Sequence, residues 1–184
     1  MDEQEAIQRL KDGDIGGLEF LVNRYQVKAV HTAYLITRDL GLAEDIVQDV
    51  FLKAYHAIRG FQASRPFEPW FLRSVVNASI RHMQKTARQV QFGNESDVSA
   101  LADLALRIDS IESQAEFAEI QDQIWGAMQK LSPRQRAVIV QRYYLEMSES
   151  EMAAESGTAA GTIKWLLNAA RQRLRKLMVG RSDE

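Results

Sequence analysis

Between residues 92 and 122 the chain carries eight acidic side chains and a single base, Arg107, a net of −7. A run this acidic, opening on Gly-Asn-Glu-Ser-Asp and only weakly apolar, cannot supply a packed core and so divides the sequence. Before it, residues 51–91 hold seven bases and one acid, Glu68, for a net of +6, and residues 1–50 hold ten acids and five bases, a net of −5. After it, residues 123–159 balance at zero and residues 160–184 return to +4. A chain with pI near 6.0 therefore separates two basic stretches by an acidic one. Two contacts with a polyanion need that pattern, and two solvated faces would also show it.

The 46% hydrophobic content of 184 residues suffices for one core or two small ones. No apolar run approaches the ~20 residues of a membrane span, and the N-terminus, Met-Asp-Glu-Gln-Glu, does not resemble a secretory signal. The absence of cysteine excludes disulfides and thiolate metal sites and fits a reducing interior. With three Pro, ten Gly and strong helix formers throughout, the expectation is a soluble, intracellular, all-α chain without membrane insertion.

Apolar spacing predicts helices over 3–11, 15–37, 42–59 and 68–89, with a break at Leu40-Gly41 and Gly60 as a C-terminal glycine. A loop with two prolines, Pro66 and Pro69, precedes the fourth helix. Four shorter helices are predicted at 114–130, 133–145, 149–156 and 159–178. Ser132-Pro133 opens the second of these, and Ser148 with Glu151 makes a capping box for the third. Two helical domains result, 1–91 and 113–180, joined by an acidic linker at 92–112. The second ends in the spacing of a helix-turn-helix, with Gly157 at the turn.

Three helices carry residues that a core does not explain. In the third, Ala43, Ile46, Val47, Val50, Phe51, Ala54 and Ile58 share one face, while Asp45, Gln48, Asp49 and His56 lie opposite with Leu52 among them. A leucine ringed by acids and an amide fits a protein-binding patch, and the acids alone would fit a solvated face. In the fourth, Leu72, Val75, Val76, Ser79, Ile80 and Met83 form the inner stripe. Trp70, Arg73, Asn77, Arg81, Gln84 and Arg88 collect opposite it, a set suited to an unstacked strand: ring for bases, amide for an edge, guanidinium groups for phosphates. Trp70 could equally fold under the Pro66–Pro69 loop as a lid on the core. In the last helix Ile163, Leu167, Ala170, Leu174 and Leu177 face inward, and Trp165, Asn168 and Gln172 point away beside Lys164 and Arg171. The three histidines share no ligand spacing, and no nucleophile–base pair or phosphate loop is present. Neither a metal, a cofactor nor enzymatic activity is expected.

Together these segments resemble a bacterial sigma factor of the extracytoplasmic-function (group IV) type of the sigma-70 family, over nearly the whole chain. Ala43 to Tyr55, AEDIVQDVFLKAY, is similar to the family's polymerase-binding helix. Phe67-Glu68-Pro69-Trp70-Phe71-Leu72 through Asn77 is similar to the segment that opens and reads the −10 element. Leu131 to Arg136, Gly161-Thr162-Ile163-Lys164 and Ala170 to Arg175 are similar to the −35 reader. The resemblance implies that Asp45, Gln48, Asp49 and Leu52 dock on the coiled coil of the largest subunit of core RNA polymerase, the flap being a second contact. It implies that Phe61, the 62–68 loop and Asn77 hold a flipped −10 base, with Trp70, Arg73 and Arg81 close by. Thr158, Ala160, Thr162, Lys164, Trp165, Asn168 and Arg171 would face −35 DNA, and an anti-sigma factor would hold the protein in check. The linker would thread polymerase channels otherwise filled by nucleic acid, in a cytoplasmic, nucleoid-associated holoenzyme.

Trp165-Leu166 stand where the family usually has Ser-Arg, and Ala169 replaces a frequent Arg. The reading helix thus loses two cations and gains an exposed tryptophan, which implies more apolar contact with thymine methyls or a surface for protein. The alternative is a sigma-like decoy that sequesters an anti-sigma factor without reading DNA. A free-standing regulator would leave Asp45–Leu52 and the linker without a purpose.

Overall fold

Asp2, Asp39, Ser132 and Ser148 each start a helix by accepting a backbone N–H on the side chain, from Glu5, Leu42, Gln135 and Glu151 respectively. Such a cap is worth about 1 kcal/mol. The structure is a computed structural model that describes residues 1–89 and 123–179, with side chains over 1–86 and 123–178. Two compact units emerge, Met1–Gly93 and Asn94–Glu184, and every regular element among the described residues is helical. The linker expected at 92–112 lies outside the described residues, as do the side chain of Arg88 and most of the helix expected at 114–130.

The first unit contains α1 (Glu3–Lys11), α2 (Gly16–Thr37), α3 (Leu40–Ala57) and α4 (Phe67–Gln89). Its core joins Ala6, Ile7 and Leu10 to Leu21 and Tyr25, and then to the six α3 residues expected to face inward and Ile58 just after them, all buried. Phe67, Phe71, Leu72, Val75 and Val76 complete it from α4. Phe71 lies 4.3 Å from Phe51 and 5.5 Å from Phe67 by ring centroids, so one aromatic layer joins α3 to the start of α4. The buried Thr32 and Ser79 hydroxyls donate to the Lys28 and Val75 carbonyls one turn back, so neither is left unsatisfied. Ile80 and Met83 are only half-buried.

Two expected boundaries are corrected. The break between α2 and α3 falls at Arg38, in the left-handed region at φ 64°, and α3 begins at Leu40. The Asp39 cap lets the helix start there, so Leu40-Gly41 is helical and not a break. Gly60 is no left-handed terminator: α3 tightens into a 3₁₀ turn over Ile58–Gly60, closed by the Phe61 N–H on the Ile58 carbonyl.

The described part of the second unit begins with α5 (residues 123–129) and continues with α6 (Pro133–Ile139), α7 (Glu149–Ser156) and α8 (Ala160–Val179). α6 widens into a π turn over Val140–Tyr144, which shortens the helix expected to reach 145. Ser132 and Ser148 both make complete capping boxes, with Gln135 and Glu151. Gly157, at φ 61°, caps α7 in the left-handed conformation a helix-turn-helix corner requires. Met152, Ile163, Leu167 and Ala170 are buried between α7, α8 and α6, while Leu174 and Leu177 are half-buried. The buried Arg136 guanidinium donates to the Leu131 carbonyl at 2.9 Å, closing the chain onto the start of α6.

Candidate protein and nucleic-acid interfaces

The outer face of α3 follows from its inner one. With its six buried apolar residues committed to the core, 3.6-residue spacing turns Asp45, Gln48, Asp49 and Leu52 to solvent, and all four are exposed. Leu52 is 56% exposed. A leucine on the wet face of a helix whose own stripe is sealed is an apolar centre in a polar rim, the form that a protein-binding patch takes.

The start of α4 builds the second surface. Residues 62–66 are exposed, while Phe61 and Phe67 on either side are buried with rings 5.7 Å apart. Trp70 lies over both, 4.9 Å from Phe61 and 5.5 Å from Phe67, and keeps part of its surface exposed. Trp70 thus packs over the core aromatics, as the lid reading expects, and still presents an edge to solvent. Phe61 is only 6% exposed and faces inward, because its ring is the anchor under Trp70. Arg73 and Asn77 are half-buried on the same side, and Arg81 is exposed with its Nε donating to the Asn77 carbonyl at 3.2 Å.

On α8 the residues from Ala160 to Trp165 other than the inward Ile163 are exposed, as is Asn168, while Thr158 is half-buried before the helix. Trp165 is 67% exposed, beside Lys164. Arg171 donates its Nε to the Tyr143 hydroxyl at 2.8 Å and stacks 5.7 Å from that ring, reaching Asn168 Oδ1 at 3.5 Å. Sequence reasoning missed Tyr143, which is 58% exposed. Its only local signal is an aromatic pair, Tyr143-Tyr144, at the end of a helix.

A wet, acid-rimmed leucine on one unit and a helix-turn-helix on the other are surfaces of the kinds that bind protein and DNA. Residues 21–89 match the model of sigma-70 region 2, and residues 121–174 match that of sigma-70 region 4. The chain is 26% identical to the ECF RNA polymerase sigma factor SigW of Bacillus subtilis, over 94% of this chain and 95% of that protein. It is 28% identical to the ECF RNA polymerase sigma-E factor of Escherichia coli K12, over 94% and 92%. Among solved structures it is similar to the sigma factor RpoE in complex with the anti-sigma factor NepR from Bartonella quintana. That likeness has TM-score 0.64 and 26% identity, covering 87% of this chain and 96% of the other. The chain belongs to the sigma-70 family, as an extracytoplasmic-function sigma factor. It is a transcription initiation factor, not an enzyme: it joins core RNA polymerase and directs it to promoters.

Proposed function

We propose that residues 1–91 and 113–180 divide the work, the first docking on polymerase and reading the −10 element, the second reading −35. The observation that carries this is the exposed Asp45, Gln48, Asp49 and Leu52 row on a helix whose opposite face is wholly buried. Leu52 seats in an apolar pocket of the largest polymerase subunit's coiled coil, and the acids meet cations at its rim. Trp70, Arg73, Asn77 and Arg81 take the unstacked −10 strand, Phe61 supporting the ring from beneath. The loop expected at 62–68 is 62–66, because Phe67 and Glu68 open α4, and it encloses a flipped base. Thr158, Ala160, Thr162, Lys164, Trp165, Asn168 and Arg171 lie along the major groove at −35, with the tryptophan on thymine methyls. The acidic linker at 92–112 occupies a nucleic-acid channel of the enzyme. The holoenzyme works in the cytoplasm on the nucleoid, and an anti-sigma factor, as in the Bartonella quintana complex, holds the free protein back. The decoy reading leaves the basic α4 face without a use.

Reconstitution with purified core polymerase, with sequencing of transcripts started on fragmented genomic DNA, tests the assignment. Discrete starts sharing motifs at two spaced upstream positions support it. Tight core binding with starts that share no upstream motif would remove the DNA-reading roles.

A further inference from the structure

The five exposed residues 62–66 span two buried aromatic anchors, and α1 grips both ends of that span. Lys11, the last residue of α1, donates its Nζ to the Phe61 carbonyl at 2.7 Å. Glu3, the first, accepts the Phe67 N–H on Oε1 at 3.4 Å. Phe67 opens α4, so its N–H is one of the donors a helix start leaves without an intrahelical acceptor. Glu3 acts as that helix's cap from 64 residues away.

Glu3 is itself oriented: its other carboxylate oxygen takes the Tyr25 hydroxyl, and Arg24 stands 3.8 Å away. Tyr25 is buried against Phe67 and Phe71, which fixes that partner in turn. Nine residues of helix hold Glu3 and Lys11 about 12 Å apart, a rigid spacer between the loop's two ends. Within the loop only the Arg65 N–H on the Gln62 carbonyl, at 3.0 Å, is a backbone bond of its own. The shape of the loop is therefore set largely from outside it. α1 also precedes the residues matched by the region 2 model, which begin at 21.

We infer that α1 is a two-point brace, with Glu3 and Lys11 as positioning residues that hold the 62–66 loop in the geometry needed to select one base of the −10 element. This rests on the proposed reading of that loop as the enclosure for a flipped base. A loop fixed at both ends discriminates because a wrong base meets atoms that do not yield; a loop released at either end adapts to it.

The test uses the full chain assembled with core polymerase and a promoter library randomised across the −10 and −35 elements. Its variants are Glu3→Ala with Lys11→Met, the conservative pair Glu3→Gln with Lys11→Arg, and, within the loop, Gln62→Ala with Arg65→Ala. The first pair is expected to lose about fivefold or more of its base preference at one −10 position, within the range one base contact supplies. Preferences at −35 and holoenzyme assembly should stay within twofold, and the conservative pair should recover selectivity. A purely structural role would lower the melting temperature and weaken all promoters together, with no change in preference, and that outcome overturns the brace. An unchanged profile in Glu3→Ala with Lys11→Met overturns it too. If the loop variants alter −10 selection and the α1 variants do not, only the brace falls. If the loop variants leave −10 selection untouched, the reading of the loop fails and the brace fails with it.

Discussion

Gly17 crosses beneath Ala6 so closely that a methyl on its Cα would lie 2.9 Å from Leu10 Cγ, and nearer still to the Ala6 carbonyl oxygen. The close approach of α1 to α2 depends on that missing carbon. Gly17→Ala should destabilise the first unit by about 2–3 kcal/mol, the cost of overpacking against backbone that cannot yield. Urea unfolding measures it, with Gly161→Ala as the comparison because a methyl there meets open space. A loss under 0.5 kcal/mol at Gly17 would mean that the two helices are free to separate.

Glu146 occupies the left-handed region at φ 54°, where a side chain costs about 1–2 kcal/mol. Glycine removes that cost and returns part of it as unfolded-state entropy. Glu146→Gly should stabilise the second unit by about 0.5–1 kcal/mol in thermal or chemical unfolding. Destabilisation would show that the glutamate side chain contributes more than its backbone strain takes away.

Asp49→Lys should lower the affinity for core polymerase at least tenfold, about 1.4 kcal/mol, with an unchanged melting temperature. Leu52→Ala should weaken binding to a similar degree through lost burial. Holoenzyme formation by either variant at wild-type concentrations would withdraw α3 from the polymerase interface.

Trp165→Ala should change which −35 sequences are used and leave both stability and core binding as they are, since the ring is two-thirds exposed. Transcript sequencing from a randomised −35 library decides this. An unaltered preference would mean that Trp165 is not a DNA contact.

Burial holds the His31 imidazole below its ordinary value of 6.5. Well above pH 6.5 folded and unfolded chains both carry it neutral, and it adds no pH dependence. As pH falls further the unfolded chain takes up the proton first, so stability drops until the native histidine titrates as well. His31→Gln should therefore lose less stability than the parent between pH 7.5 and 5.5 in urea titrations. Parallel declines would mean that His31 titrates alike in both states.

What was legible in the sequence is what neighbours along the chain decide. Ser132-Pro133, Ser148 with Glu151, and Gly157 mark helix ends by local hydrogen bonding, and the structure uses all three as expected. The α3 faces follow from period alone. The start of α3 was misread because Arg38 takes a left-handed conformation that arginine seldom adopts and no residue type announces. Phe61 and Phe67 were not seen as a pair because a loop brings them together. The Tyr143–Arg171 bond spans 28 residues and the Lys11–Phe61 bond 50, beyond any periodic signal. Long-range contacts of this kind shape the candidate surfaces more than they shape the helices.

No position on α3 from Ala43 to Leu52, apart from Glu44, lacks an assignment to either the core or the outer row. The two kinds of damage should separate genetically. A substitution at Val50 harms the amount of folded protein, so a stabilising change elsewhere in the first unit, or growth at lower temperature, can suppress it. On the docking proposed above, a substitution at Asp49, one residue away, leaves folded protein that no such suppressor can help. Its compensating change is then expected in another gene, the one that encodes the partner surface.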